Sequence, residues 1–351
     1  MSNPVAVDAM GGDRAPAEVV RGAIRAVEEV EGLRVDLVGA EADIRQELEA
    51  AGWQGESISM VPATEAIGMG ESPVEAVRAK KDSSIVVGLK RVRDGKSSAF
   101  VSAGNTGAAV AASSLFLRTL PEVTKAGIAV VLKVGVKPLI LMDVGANVEA
   151  KPEHLLQYAV MAGLYASLIH SVEDPVVGLL NIGEEGAKGN RLAKETHDRF
   201  GDSGINFHGN IEAVELFRGK CDVVVCDGFT GNIVLKLAEG LAERLFLLFE
   251  EGASEVASSM ADIADSAQGE LKEVISQQVQ SGLSKLGSRI DYAESGGAPL
   301  LGVNGTVIVS HGRSGARAIS NAIQLANKMA EVDINGLIVQ NLRAKDSLAA
   351  D

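Results

Sequence analysis

Six times along the chain, a short apolar run rich in β-branched residues ends in a glycine-bearing turn, and a helical pattern follows. "PVAVDA" leads into "MGGD" and a helix from about Ala15. "AFVSA" leads into "GNTGA", and "PLILMD" into "VGAN" with a helix near Glu153. "VVGLLN" leads into "IGEEGAKGN", "DVVVCD" into "GFTGN", and "TVIVSH" into "GRSG" and a last long helix. Continuously apolar strands separated by helices predict an α/β fold of three layers, α/β/α, with a largely parallel sheet covered on both faces. Crossovers should be right-handed, and each turn should lie at the carboxyl end of its strand, where open α/β sheets bind ligands. The six tips are therefore expected to converge on one crevice.

One region departs from this rhythm. From Gly231 to Lys285 the chain reads as two long helices, the first carrying "LAERLFLLF" and the second Leu271, Ile275, Val279, Leu283 and Leu286 at near-helical spacing. Between them lies "GASEVASSMADIADSAQG", small and acidic. The pattern predicts a helical hairpin over 232–285 that projects from the body.

Composition narrows the possible functions. The 351 residues carry a net charge of −14, which disfavours nonspecific nucleic-acid binding and adsorption to anionic lipid. Aromatic residues make up only 3%, too few for a base-stacking platform. No apolar run reaches 18 residues and "MSNPVAVDAM" does not read as a signal peptide, so a cytoplasmic protein is expected. The two cysteines, Cys221 and Cys226, are an odd number of positions apart on an apparent strand. They should face opposite sides as core thiols.

The tips carry the candidate chemistry. In "SAGNTGA", Ser102, Asn105 and Thr106 offer side-chain hydrogen bonds, Gly104 lets the backbone approach, and the following helix supplies free N–H groups at its start. That combination suits a phosphate. "DVGAN" and "GFTGN" repeat it with Asp143, Gly145 and Asn147, then Asp227, Gly228 and Asn232. "MGGD" adds Gly11, Gly12 and Asp13 behind Asp8. "LLNIGEEGAKGN" adds Asn181, Gly183, Glu184 and Lys188, whose ammonium could neutralise an anion. His311, at the end of "TVIVSH", is the best-placed histidine. The strand-end aspartates Asp8, Asp13, Asp143 and Asp227 are open to two readings, a metal ligand or a cap on the next helix. A phosphate loop, a nucleophile elbow and a His-Glu-x-x-His pair are all missing.

Taken in order, "VAVDAMGGDRAP", "SAGNTGA", "LMDVGAN", "LLNIGEE", "CDGFTGN" and "YAESGGAPLLGVNGTVIVSHGRS" resemble the bacterial phosphate acyltransferases of phospholipid synthesis, the PlsX family. The resemblance implies transfer of a long-chain acyl group from acyl-carrier protein to inorganic phosphate, giving acyl phosphate and free carrier, with no cofactor and no metal. It implies an architecture like isopropylmalate dehydrogenase and phosphotransacetylase, two interlocked lobes of about 1–100 with 290–351 and 101–289. It implies a homodimer, and as partner the membrane acyltransferase that passes the acyl group to glycerol 3-phosphate. Asn181, Lys188, Asp227 and His311 then become the catalytic candidates, and the other tip residues, together with Asn304, the substrate-binding candidates.

Acyl-carrier protein is acidic, so docking on this acidic chain needs a local basic patch. "RAKKDSSIVVGLKRVRDGK" offers Arg78, Lys80, Lys81, Arg91 and Arg93. Residues 250–284 hold seven acids and one lysine, a composition poorly suited to a polybasic lipid anchor. The alternatives are a phosphotransacetylase-like enzyme using acyl-CoA, a dehydrogenase of related architecture, and a noncatalytic acyl- or phosphate-binding regulator.

Overall fold

The computed structural model describes residues 3–133, 137–264, 282 and 296–348. Eleven strands among them form one sheet. They are β1 (Val5–Asp8), β2 (Val35–Gly39), β3 (Ile58–Pro62), β4 (Ala99–Ser102), β5 (Gly127–Leu132), β6 (Leu139–Met142), β7 (Val177–Asn181), β8 (Phe207–Glu212), β9 (Val223–Val225), β10 (Ala298–Leu301) and β11 (Thr306–Val309). Their spatial order is β3-β2-β1-β4-β11-β10-β5-β6-β9-β7-β8. The six expected strands are β1, β4, β6, β7, β9 and β11.

The sheet is mixed and mostly parallel. β10 pairs antiparallel with β11 and with β5, and β5 pairs antiparallel with β6; the other pairings are parallel. These reversals change the expected geometry. β1, β4 and β11 run one way, whereas β6, β9, β7 and β8 run the other. Their carboxyl ends therefore point in opposite directions, so the six tips do not line up along one edge of the sheet. The tips after β1, β4 and β11 form one group, and those after β6, β7 and β9 form a second.

Alternation along the strands separates two cores. Val5 and Val7 pack into one layer and Ala6 into the other. The first layer joins α1 (Ala17–Glu29), α2 (Glu41–Ala50), α6 (Pro152–His170), α7 (Arg191–Gly201), α9 (Ala316–Glu331) and α10 (Ile334–Leu348), through residues such as Val20, Tyr158, Phe200, Ile319 and Ile338. The second joins α3 (Pro73–Ala79), α4 (Ser84–Arg93), α5 (Thr106–Phe116) and the base of α8 (Gly228–Ala264), through Val77, Ile85, Ala109 and Leu235. Both faces are thus covered, the arrangement that continuously apolar strands require. The expected lobe boundary near residue 100 falls inside β4, which pairs with β1 and β11.

Both cysteines are buried in the second layer rather than on opposite sides. β9 proper is only Val223–Val225, so Cys221 precedes the strand and escapes its alternation. The first hairpin helix, α8, is a single 37-residue helix that runs well past the expected turn after Phe249. The second expected hairpin helix falls almost wholly outside the described residues.

Candidate active site

Three tips of the first group lock together through a buried carboxylate. Asp8, at the end of β1, accepts the Ser102 hydroxyl at 2.7 Å and the Met10 N–H at 3.2 Å. The Ser102 oxygen in turn accepts the Gly104 N–H at 3.0 Å. Gly11 is obligatory here, because a Cβ would drive into the Asp8 carboxylate and the Gly104 amide. The Asp13 N–H donates to the Gly312 carbonyl at 2.8 Å, and Gly12 also packs against that carbonyl, which ties in the turn after β11. Burial raises the Asp8 pKa, against the opposing hydrogen bonds from Ser84 and Ser102.

Asn105 does not project into open space. It caps α5, accepting the Ala108 N–H at 3.0 Å, and its amide donates to the carbonyls of Gly68, Met69 and Glu71. The side chain is 6% exposed and fully engaged. Gly104 is likewise buried against Asp8. The exposed part of the expected cradle is Thr106 and Gly107, whose amides find no partner among the described residues.

Those two residues line a cavity of about 350 Å³ over the second core face, between the start of α5 and the base of α8. Its floor is apolar, formed by Ile128, Val130, Val144, Leu235 and Val309. Ser310 and His311, from the end of β11, lie at one side, and Gly145 and Asn232 at the other. The two groups of tips thus meet across the cavity, not along one edge. Ser310 is 4% exposed, and its hydroxyl has no hydrogen-bond partner among the described residues. An unpaired buried hydroxyl is costly, so the cavity is polarised toward a ligand at that point. His311 Nδ1 accepts the Arg313 N–H at 3.2 Å, which leaves the proton of a neutral ring on Nε2. Burial first, then the Lys236 charge, lowers the His311 pKa, so the ring is neutral near pH 7.

Lys236 is a residue that sequence reasoning missed. It lines the cavity with its ammonium 2.9 Å from Glu239. Asn232, Leu235, Lys236 and Glu239 follow the i, i+3, i+4, i+7 rule of one helix face, a signal present in the sequence. Ser310 was also missed, although it is the last residue before His311 at a strand end.

The second group of tips is largely structural. The Asp143 carboxylate is fully buried and collects the amides of Ile128, Gly145, Ala146 and Asn147. Burial raises its pKa against those donors. The Asn147 side-chain amide donates to Tyr158 and the Ala126 carbonyl, and the Asn147 backbone carbonyl accepts the Gly228 N–H. Asp227 caps α8 by accepting the amide and hydroxyl of Thr230. The capping reading therefore holds for Asp227, and Asp8 and Asp143 organise turns.

Four other expected site residues stay apart from the cavity. Asn181 donates to the Lys188 carbonyl and accepts the Ile182 amide, so it shapes its own loop. Lys188 is exposed on that loop, whose Gly183 packs on its aliphatic stem. Glu184 pairs with Lys220. Asn304 is exposed in the β10–β11 turn, at the opposite end of that hairpin from Ser310, and donates its N–H to Arg118.

The proposed basic patch is also partly consumed. Lys80 bonds to Glu71 and the Ala66 carbonyl, Arg91 to buried Asp36, and Arg93 to Asp94. Arg78 and Lys81 are exposed without an ion pair among the described residues.

The model of a family described as "Fatty acid synthesis protein" matches residues 4–336. A phosphate acyltransferase of Halothermothrix orenii is 41% identical over 340 residues, spanning 96% of this chain and 98% of that protein. A phosphate acyltransferase of Desulfitobacterium hafniense is 45% identical over 331 residues, 93% of this chain and 94% of the other. Among solved structures, a phosphotransacetylase from Streptococcus pyogenes superposes with a TM-score of 0.60 at 18% identity, covering 93% of this chain and 94% of that one. That likeness extends to the α/β fold. These relatives make the chain an acyltransferase. The chain belongs to the fatty acid synthesis protein family that contains the phosphate acyltransferases, the PlsX family.

Proposed function

We propose that this protein transfers a long-chain acyl group from acyl-carrier protein to inorganic phosphate, yielding acyl phosphate for phospholipid synthesis. The observation that carries the reading is the buried Ser310 hydroxyl, unpaired among the described residues, at the side of a cavity with an apolar floor and beside the free amides of Thr106 and Gly107. An anion with an apolar tail fits that division.

Phosphate binds at the start of α5, where the free amides and the helix dipole favour negative charge. Ser310 and His311 Nε2–H donate to it, and Lys236 offsets its charge. One phosphate oxygen attacks the thioester carbonyl carbon. The carbon–sulfur bond breaks, the phosphate proton passes to the departing thiolate, and acyl phosphate remains. No covalent enzyme intermediate is needed: burial pushes the Cys221 thiol up to about 11 and the Cys226 thiol further, so neither is a ready nucleophile. Orientation of two bound reactants can lower such a barrier by about 7–11 kcal/mol. Amides aimed at the developing oxyanion add to this.

No helix among the described residues is long and apolar enough to cross a membrane. We place the protein in the cytoplasm as a homodimer, delivering its product to a membrane acyltransferase that uses acyl phosphate. The test is release of free carrier from palmitoyl-carrier protein with and without phosphate, run beside acetyl-CoA. Phosphate-dependent release from the palmitoyl substrate alone is expected. Turnover of acetyl-CoA alone points to the short-chain reaction, and no turnover of either to a regulator.

A further inference from the structure

A second cavity, of about 390 Å³, lies at the carboxyl ends of β7 and β9, beneath the starts of α7 and α8. Leu155, Leu179, Leu180, Leu192, Cys226 and Val234 form its walls. Polar side chains stand around it, but their hydrogen-bonding atoms are largely turned onto their own backbone. Asn181 holds the 182–188 loop from both ends of its amide, the Asn190 carbonyl caps α7, and the Asp227 carboxylate is taken by Thr230. A phosphate or sugar entering there finds few open partners, and desolvation goes uncompensated. An alkyl chain meets a mostly apolar wall.

The contrast with the first cavity is chemical. There the hydroxyl of Ser310, unpaired among the described residues, and the free amides of α5 wait for an anion; here most polar atoms are engaged within their own turns. The two cavities are neighbours. Val234 faces the second and Leu235 the first, so the opening turns of α8 form the partition. At the rim of the second cavity Ile182 is 79% exposed, a large apolar side chain at an apolar mouth.

We propose that this second cavity receives the distal part of the substrate's acyl chain, so that chain-length preference is set by Leu155, Leu179 and Val234 rather than at the phosphate site. The inference rests on the acyl-transfer reading above. Once a chain crosses the partition, each methylene buried contributes about 0.8 kcal/mol. Short chains end in the first cavity and are indifferent to the second.

The experiment fills the cavity from a helix. Val234→Phe narrows it, and Ala193→Leu narrows it from α7 should the first variant fail to fold. Two readouts are taken, phosphate-dependent kinetics with hexanoyl- and palmitoyl-carrier protein, and equilibrium binding of a fluorescent sixteen-carbon fatty acid. The expected result is that kcat/KM for palmitoyl falls roughly tenfold, the equivalent of about two unburied methylenes, while hexanoyl kinetics stay within twofold and fatty-acid binding weakens in parallel. Unchanged palmitoyl preference and unchanged fatty-acid binding in a folded variant overturn the inference while leaving the acyl-transfer reading intact. Fatty-acid binding lost on Val234→Phe, in a protein that never forms acyl phosphate, upholds the cavity assignment and removes the reaction.

Discussion

The Asp8 carboxylate and the Ser102 hydroxyl, 94 positions apart in the chain, meet at 2.7 Å between β1 and β4, and Ser102 passes the contact on to the Gly104 amide. This relay fixes the turn from which α5 starts. Ser102→Ala removes one donor from a buried carboxylate and one acceptor from a buried amide. A loss of about 1–3 kcal/mol is expected, read as a lower denaturation midpoint. Turnover should fall with it, because Thr106 and Gly107 move with the turn.

Asp8 and Asp143 also set a pH dependence. Burial is the leading cause that raises both pKa values. A carboxyl raised in the folded state contributes stability that is fully present below its unfolded pKa and lost as pH rises through the folded pKa. These two groups therefore cost stability at neutral pH, in exchange for shaping the turns. Asp8→Asn removes one buried charge, and its amide can donate to Ser102. Stability measured by denaturant titration should fall less from acid to neutral pH in the variant than in the wild type. An identical slope means that Asp8 does not titrate in that window.

Asn105→Ala separates a structural role from a binding one. The side chain is the α5 cap and also holds the segment Gly68–Glu71. The expected outcome is a stability loss of about 1–2 kcal/mol from the cap alone, with the phosphate KM changed only as far as α5 frays. A large KM effect at unchanged stability indicates direct contact with phosphate.

Ser310→Ala behaves in the opposite way. Its hydroxyl is buried and unpaired, so truncation should leave the midpoint of unfolding unchanged or slightly higher. If the hydroxyl serves the developing negative charge, turnover should drop roughly 10²-fold. Lys236→Ala should mainly raise the phosphate KM and reduce its salt dependence. Wild-type kinetics in a folded Ser310→Ala enzyme place the anion elsewhere.

The parts of this architecture that were legible in the sequence, and the parts that were not, divide along physical lines. β1, β4, β6, β7, β9 and β11 announce themselves as apolar runs before glycine turns. β5, though fully buried, is followed in the sequence by another apolar run rather than a helical pattern and was not singled out. The decisive missed fact was direction: nothing in "GIAVVL" tells that it runs antiparallel to both neighbours. That reversal makes the second group of tips approach the cavity from the opposite direction. Asp227, Asn181 and Asn105 illustrate the same limit at the level of side chains, since residues that can bind a ligand are also those that cap helices. Their occupancy is decided by tertiary contacts. Ser310 and Lys236 emerged for the converse reason, being polar groups that the fold leaves facing a cavity.

The basic run offers a discriminating pair. Lys80 is held by Glu71 and a backbone carbonyl, whereas Lys81 is exposed. Lys80→Glu should destabilise the segment 66–80 and lower activity with every acyl donor. Lys81→Glu combined with Arg78→Glu should leave stability unchanged and raise only the KM for the carrier substrate. Wild-type activity should weaken as salt rises toward a Debye length of about 8 Å. Salt-insensitive kinetics with an unaffected double variant remove this surface from consideration.

The outer face of α8 bears on the proposed dimer. Phe229, Ile233, Leu237, Leu241, Leu245 and Phe249 recur every fourth residue and are each more than 40% exposed, Leu237 reaching 69%. With about 3.6 residues per turn, each step advances the row by about 40°, so it makes a continuous apolar ridge that winds about 200° around the helix along some 30 Å. Monomers rarely leave a patch of that extent in water. If a second copy covers it, the same ridge occurs on both sides of a two-fold axis. Glutamate at Leu237 and Leu241 together should then convert a wild-type dimer into a folded monomer in sedimentation, with the unfolding midpoint dependent on protein concentration only for the wild type. A wild-type monomer at micromolar concentration excludes self-association as the cover. Strong binding of that monomer to anionic vesicles, lost in the double variant, assigns the ridge to a lipid surface instead.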